Sequence, residues 1–316
     1  MVVPTYRRDD LLTRCLEKLI DQDLPDEDFE VIVVDDAAGE TVAALVSDMA
    51  GHSRVRLIAL AGRQAGPAAA RNIGWRKARG DIIAFMDDDA YPERRDWLKE
   101  GLRPFSDPSV AAVTGQVEVP ADDPPTDFQL NVKNLETGTF LTCNAFCRRS
   151  VLEELGGFDE RFRVAFREDS DLAFRIEQAG GRIVRNPDAV VIHPAPRGPF
   201  AVSLRLQRYS LFNALLRKKH PRRYRELEVM PPLNYYAIVL LPPLAAGLGL
   251  AGHGLAALTA GGICAGLYVE FLLRRIRRSS KRPGHLLEMA FTSLLIPPLS
   301  VYWRLRGAWQ FRVLFI

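Results

Sequence analysis

Residues 81–92 read Asp81-Ile82-Ile83-Ala84-Phe85-Met86-Asp87-Asp88-Asp89-Ala90-Tyr91-Pro92. The apolar run Ile82–Met86 is too short for an ordinary helix and suits a strand buried on both faces. It stops in three adjacent carboxylates. Toward the N-terminus, Gly66–Lys77 opens on Gly-Pro, keeps small residues on one side and predicts a helix. Before it, Val55–Leu60 predicts a strand and Glu40–Met49 a helix. Phe29–Val34 predicts a strand that runs into Asp35 and Asp36. Leu11, Leu12, Cys15, Leu16 and Leu19 recur at helical spacing, and Met1–Thr5 reads as a buried strand. Strands without polar alternation, separated by helices, predict an α/β, Rossmann-like fold. Its sheet is mostly parallel, with helices on both faces. Ligands of such sheets bind beyond the carboxyl ends of the strands, where both acidic clusters fall.

After Pro92 the pattern is mixed. Ala111–Val119 and Phe140–Cys147 predict strands, separated by the polar, Pro-rich stretch Pro120–Pro125. Val151–Leu155 predicts a helical turn ended by Gly156-Gly157. Asp169–Ala179 predicts an amphipathic helix, and Arg182–Val184 and Ala189–His193 short strands.

Composition then changes along the chain. The 316 residues are 47% apolar with a net charge of +3, enough for two parts but uninformative about partners as a total. Leu233–Leu273 holds one formal charge, Glu270, and one histidine, His253. It predicts two transmembrane helices, at about 234–252 and 254–273, with a tight turn at 251–254. Pro242-Pro243 is expected to kink the first. A third apolar segment, about 286–303, carries Glu288, Pro297 and Pro298 and reads either as a further span or as an in-plane or re-entrant helix. Basic residues flank the pair. Between Pro194 and Pro232 stand nine Lys or Arg against Glu226 and Glu228. Beyond the second span lie Arg274, Arg275, Arg277, Arg278, Lys281 and Arg282. The turn has no basic residue, so both outer ends are expected on the cytoplasmic side of the cell membrane. Without the apolar segments, a solvated basic face would be the default reading. No stacking aromatics accompany the basic clusters, which speaks against nucleic acid as a partner. The expected organisation is a catalytic domain over 1–195, a basic amphipathic linker over 196–232 and a membrane region over 233–316.

The four cysteines, Cys15, Cys143, Cys147 and Cys264, form no CxxC pair. Cys143 and Cys147 are expected on one strand face, four apart. Too few further ligands stand near for zinc, and a reduced compartment is expected. No signal peptide is visible, since the chain opens on a strand.

Three carboxylates at a strand end repel one another, and a hard divalent cation is the usual remedy. An exposed acidic turn is the plain alternative. The motif has company, however. Val3-Pro4-Thr5-Tyr6 closes the first strand and Val33-Val34-Asp35-Asp36 the second. Gly66-Pro67-Ala68-Ala69-Ala70-Arg71-Asn72-Ile73-Gly74 stands one helix before the aspartates. Gly156-Gly157-Phe158-Asp159-Glu160 and Arg167-Glu168-Asp169-Ser170-Asp171 follow them. In order and spacing, these segments of residues 1–195 resemble the family 2 glycosyltransferases, which have the GT-A fold. Arg7 stands where that family usually has Asn.

The resemblance implies a nucleoside-diphosphate-sugar donor of UDP, GDP or dTDP type and a cofactor cation, Mg²⁺ or Mn²⁺. Pro4, Thr5, Tyr6 and Asp36 would hold the base. Arg71 would approach the diphosphate, a helix-surface salt bridge being its alternative. Asp87 and Asp88 would lie near the ribose and sugar, with Asp89 as metal ligand, joined by Asp87 and by His193. Glu168-Asp169 matches the family's acidic pair and Asp169 its catalytic base, while Asp171 reads as the i,i+4 partner of Arg175. The implied reaction is inverting transfer to a lipid-linked or glycan acceptor at the membrane, as in cell-envelope glycan assembly. A processive polysaccharide synthase would carry Gln-x-x-Arg-Trp, for which Gln207-Arg208-Tyr209 is no match. A catalytically silent, nucleotide-binding membrane scaffold is the other alternative, opposed by the intact carboxylates.

Overall fold

The computed structural model describes residues 1–227 and 232–315. In chain order the elements begin with β1 (Val2–Thr5), α1 (Asp9–Ile20), β2 (Glu30–Asp35), α2 (Glu40–His52) and β3 (Arg56–Ala61). Next come α3 (Pro67–Lys77), β4 (Ile82–Phe85), β5 (Tyr91–Pro92), α4 (Trp97–Leu102) and β6 (Val110–Glu118). They continue with α5 (Asp127–Val132), β7 (Ala145–Arg148), α6 (Arg149–Leu155), α7 (Glu168–Gln178) and β8 (Arg182–Ile192). The remainder is helical: α8 (Val202–Leu206), α9 (Leu211–Lys219), α10 (Pro221–Glu226), α11 (Leu233–Leu250), α12 (Gly254–Arg277) and α13 (Pro283–Phe311).

The chain forms two compact units, residues 1–120 with 133–195 and residues 121–132 with 196–316. The expected continuous 1–195 domain is thus interrupted. Residues 121–132, within the Pro-rich stretch and α5, group with the C-terminal helices.

The first unit is built on one sheet of order β3-β2-β1-β4-β7-β6-β8-β5. β1 to β4 pair in parallel. β7 runs antiparallel between β4 and β6, so the sheet is mixed beyond its first half. Alternation along the strands divides the core in two. Val31 and Val33 pack with Leu12, Leu16 and Val46 on one face. Ile32 and Val34 pack with Ala68, Ala70 and Trp75 on the other. Each such fully buried aliphatic side chain contributes roughly 1.5–3 kcal/mol. Trp75, Trp97 and Phe158 are core residues. All four cysteines are buried free thiols.

Two strand expectations change. Phe140–Cys147 is only half strand, because residues 142–144 turn in a 3₁₀ loop that places Cys143 off the sheet. The side chain of Asn144 explains the turn. It is wholly buried, donates to the carbonyls of Gln116 and Ala189, and accepts from Trp97 Nε1 at 3.0 Å. The two short strands at 182–184 and 189–193 are one element, β8, whose register against β6 slips between Gly115 and Gln116. A Cβ on Gly115 would lie 2.2 Å from the Ala189 carbonyl oxygen, so only glycine fits where the strands slip.

In the second unit α11 and α12 form an antiparallel pair. Tyr235 meets Phe271 edge-on at 5.2 Å, and Cys264 Sγ lies 3.7 Å from the Ile238 carbonyl. Pro242 and Pro243 lie inside a continuous α11. The third apolar segment is part of a single 29-residue helix, α13, about 43 Å long at 1.5 Å per residue. Thus α11, α12 and α13 are all long and apolar enough to cross a membrane. Large apolar side chains on them, such as Leu240, Leu255 and Leu258, stand exposed, which fits membrane association.

The basic segments are more ordered than their composition suggests. Residues 202–226 fold into α8, α9 and α10, and α9 packs on α13, where Gly307 lets the Leu211 backbone approach. The end of the 196–232 segment, with Glu228, lies outside the described residues. Arg275, read from sequence as one of a membrane-facing cluster, is instead buried. Its guanidinium pairs with Asp127 at 2.8 Å and donates to Thr292 and Ser293.

Candidate active site

The carboxyl ends of β1, β2 and β4 bring the sequence-predicted residues together in the first unit. Parallel pairing sets Thr5 beside Asp35, and β4 delivers Asp87–Asp89 alongside. Thr5 Oγ1 donates to Asp88 Oδ2 at 2.7 Å, which ties the first motif to the acidic turn. Asp88 is buried, and burial pushes its carboxyl up to about 6, with the nearby Arg8 charge opposing the shift.

β5 explains how His193 reaches this turn. Tyr91 pairs with Ile192 across the β5–β8 ladder, so the chain just before Tyr91 meets the chain just after Ile192. His193 Nε2 then lies 3.3 Å from Asp89 Oδ1. Asp87, Asp89 and His193 each offer one ligand atom, all within 4.8 Å of one another. His193 Nδ1 is buried with no hydrogen-bond partner among the described residues. Two carboxylates and an imidazole suit a small divalent cation, so the donor set fits the metal that the family implies.

Arg71 departs from its expected place. It is neither a helix-surface residue nor open to a diphosphate, for its side chain is 1% exposed. Its Nη2 donates to Asp87 Oδ1 at 2.6 Å and its Nη1 to Glu168 Oε1 at 3.0 Å. The cause lies in α3, whose small face lets the helix sit directly on β1. A Cβ on Gly74 would come within 2.3 Å of Val2. Arg71, on that buried helix, therefore points its charge at the two carboxylates.

Glu168 and Asp169 open α7, after Arg167 in a left-handed conformation. Asp169 Oδ1 accepts from the Ser170 N–H at 2.6 Å. Burial raises both carboxyls above the usual range; the Asp169 charge adds to this for Glu168, and Arg71 opposes it. A carboxylate with raised proton affinity is a better base at neutral pH. Asp171 pairs with Arg175 at 2.9 Å, as the i,i+4 spacing predicts.

The second-strand acids turn inward. Asp35 caps the loop through the N–H groups of Ala37 and Gly39. Asp36 accepts from the N–H groups of Arg63, Ala65 and Gly66, so its carboxylate shapes the loop that leads into α3. Tyr6 is exposed beside that acid-rich end, with Arg7 over its ring at 5.2 Å.

Two further residues of this region escape a reading of the sequence. Asn72 bonds the Phe158 backbone in both directions and also Glu160, so it fastens the Gly156–Glu160 motif to α3 next to Arg71. Arg8 reaches Asp88 at 3.2 Å and Asp89 at 2.6 Å. Its position directly after the Tyr6-Arg7 pair was the only available signal. The pairing itself spans 80 residues.

Comparison with known proteins agrees with this geometry. The glycosyl transferase family 2 model matches residues 1–156. A pre-mycofactocin glycosyltransferase of Mycobacterium tuberculosis is 34% identical over 181 residues, 52% of this chain but 37% of that protein. The chain therefore spans little more than a third of that relative's length. Glycosyltransferase AglE of Haloferax volcanii is 27% identical over 216 residues, 66% of this chain and 69% of its own. The mannosyltransferase PcManGT of Pyrobaculum calidifontis, solved with GDP-Man and Mn²⁺, has a TM-score of 0.58 at 23% identity. That match covers 98% of this chain and 86% of that one. Through its first unit, the chain belongs to glycosyltransferase family 2 and has the GT-A fold.

Proposed function

We propose that the protein is an inverting glycosyltransferase that moves a sugar from a nucleoside diphosphate to an acceptor at the cytoplasmic face of the membrane. The observation that carries this is the gathering of Asp87, Asp89 and His193 within 4.8 Å, at the strand end where Arg71 joins Asp87 to Glu168. Asp87, Asp89 and His193 would hold Mg²⁺ or Mn²⁺. The cation, once bound, offsets diphosphate charge and stabilises the leaving group.

The chain's own residues do the rest. Pro4, Thr5, Tyr6 and the Asp36 loop would receive the base, of uracil, guanine or thymine type. Asp88, fixed by Thr5, would orient the ribose or sugar. Arg71 acts on a diphosphate through Asp87, by holding that carboxylate in place. The acceptor hydroxyl forms a bond to the anomeric carbon as the bond to the phosphate oxygen breaks on the opposite side. Its proton passes to Asp169, and Glu168 sets the charge around that base. Names of relatives that bind GDP-Man, UDP or UDP-GlcNAc are consistent with a nucleotide-sugar donor. Three apolar helices favour an acceptor at the membrane, a lipid-linked sugar or glycan. Basic residues gathered where α12 ends and α13 begins favour the cytoplasmic side.

Calorimetry in mild detergent tests this with UDP, GDP, dTDP and ADP, each with Mn²⁺, Mg²⁺ or chelator. One nucleotide is expected to bind in a metal-dependent way, and Asp89→Ala to abolish it. Asp169→Asn is expected to keep that binding and lower turnover about 10²–10⁴-fold. If no nucleotide binds to folded protein, the donor site is wrongly assigned and a silent scaffold becomes the better reading.

A further inference from the structure

Asp89 is shared between two basic side chains, one on each of its oxygens. His193 Nε2 stands 3.3 Å from its Oδ1, and Arg8 Nη1 stands 2.6 Å from its Oδ2. The same Arg8 nitrogen lies 3.2 Å from Asp88. Half of the Arg8 side chain remains exposed, so the guanidinium bridges the acidic turn from the solvent side and has room to leave. Without Arg8, the only other guanidinium on the turn among the described residues is Arg71, which already serves Asp87 and Glu168. The turn would then keep two carboxylates, Asp88 and Asp89, with no basic partner among the described residues but His193.

We propose that Arg8 is a positioning residue that stands in for the cation: it holds Asp88 and Asp89 while no metal is bound, yields Asp89 to the metal, and then pairs with the donor's diphosphate. The inference rests on the metal-site reading above. A guanidinium and a divalent cation on one carboxylate repel each other across a few ångströms, so they compete for it. Arg8 moves a short way when displaced, because its backbone is fixed at the start of α1 while half of its side chain faces solvent. A diphosphate arriving with the metal brings anionic oxygens that suit a planar, forked donor. The device guards the turn against its own repulsion in the empty state and supplies a phosphate contact in the loaded one.

This exchange has a signature in the sign of two affinities. Arg8→Gln removes the competitor, so Mn²⁺ alone should bind about three- to tenfold more tightly than to the wild type, a gain set by a half-exposed pair. The same change removes a phosphate contact, so the nucleoside diphosphate that binds wild type should bind the Mn²⁺-loaded variant about tenfold more weakly. Free Mn²⁺, counted by electron paramagnetic resonance, reads the first; calorimetry reads the second. Arg8→Lys keeps the charge without the fork and should restore the metal affinity but only part of the nucleotide affinity. Weaker or unchanged Mn²⁺ binding in Arg8→Gln would sink the proposal, since a merely structural Arg8 weakens both ligands together. Tighter Mn²⁺ with unchanged nucleotide would overturn the transfer to the diphosphate. If neither wild type nor variant binds Mn²⁺, the metal site itself is wrong and the proposal goes with it.

Discussion

Arg71 and Arg275 are both guanidiniums taken almost wholly out of water, at 1% and 8% side-chain exposure. Their company differs. Arg71 meets two carboxylates, Asp87 and Glu168, while Arg275 meets one, Asp127, and the hydroxyls of Thr292 and Ser293. The second centre is formally neutral and its hydrogen bonds stay within the helices and α5 that it joins. It is a fastening. The first keeps a surplus negative charge when both acids are ionised, at the end of a sheet, beside two more aspartates. Such a centre is complete only when further positive charge arrives. Charge balance, more than burial, separates these two arginines.

Removing each arginine should separate the two roles. Arg71→Met leaves Glu168 buried and uncompensated, a loss of about 3–5 kcal/mol. Its thermal midpoint in detergent should fall furthest, and metal-dependent nucleotide binding should vanish even where the protein is folded. Part of the strain will be relieved by protonation of Glu168, whose carboxyl is already raised. The variant should therefore be least unstable at acidic pH. Arg275→Met should cost less, about 2–3 kcal/mol, because Asp127 is a quarter exposed and can recover water. Nucleotide binding should survive it at temperatures where the protein is folded. If Arg275→Met instead loses nucleotide as Arg71→Met does, the contrast between fastening and site fails.

The surplus charge also predicts a pH dependence. Asp88 titrates near 6 in the folded, metal-free protein, above the ordinary carboxylate value of 3.8. The folded state therefore holds a proton that the unfolded chain has released between about pH 4 and pH 6. The Asp88 contribution to stability should fall as pH rises through that window, by on the order of 2 kcal/mol, and level off above it, while the raised Glu168 and Asp169 carboxyls act in the same direction. Asp88→Asn should remove that part of the profile and leave the rest, and Mn²⁺ at pH 7 should restore the midpoint of the wild type. A wild-type profile that runs parallel to that of Asp88→Asn from pH 4 to pH 6 would mean that the acidic turn is already balanced without a cation.

What could be read from the sequence follows the range of the forces involved. β2 and β4 are legible because five or six adjacent residues bury themselves and then stop at acids. Glu168 and Asp169 stand out by local order, and the apolar helices by composition. Pairings that join distant segments were not legible. Nothing near Arg275 distinguishes it from Arg274, since its partner Asp127 lies 148 residues away. The burial of Arg71 between Asp87 and Glu168 is not legible because its helix is not amphipathic in the usual way: small residues, not large ones, mark its buried face. The approach of His193 to Asp89 depends on the two-residue β5, too short to announce itself.

Arg274 gives the smallest effect and the sharpest control. It precedes Arg275 on the same turn of α12, and it also pairs with an acid, Glu270, one helical turn back. Yet its side chain is 64% exposed at the basic end of α12, where long charged side chains reach the aqueous boundary of a membrane, so the pair is formed in high dielectric and its loss returns both groups to solvent. Arg274→Ala should cost under about 0.5 kcal/mol, the usual worth of an exposed i,i+4 pair. That is a shift of about 1 °C for a chain of this size. Two adjacent arginines, each bound to one carboxylate, would then differ several-fold in their contribution. Equal losses at 274 and 275 would mean that position on the helix, not burial against Asp127, Thr292 and Ser293, sets the value of both.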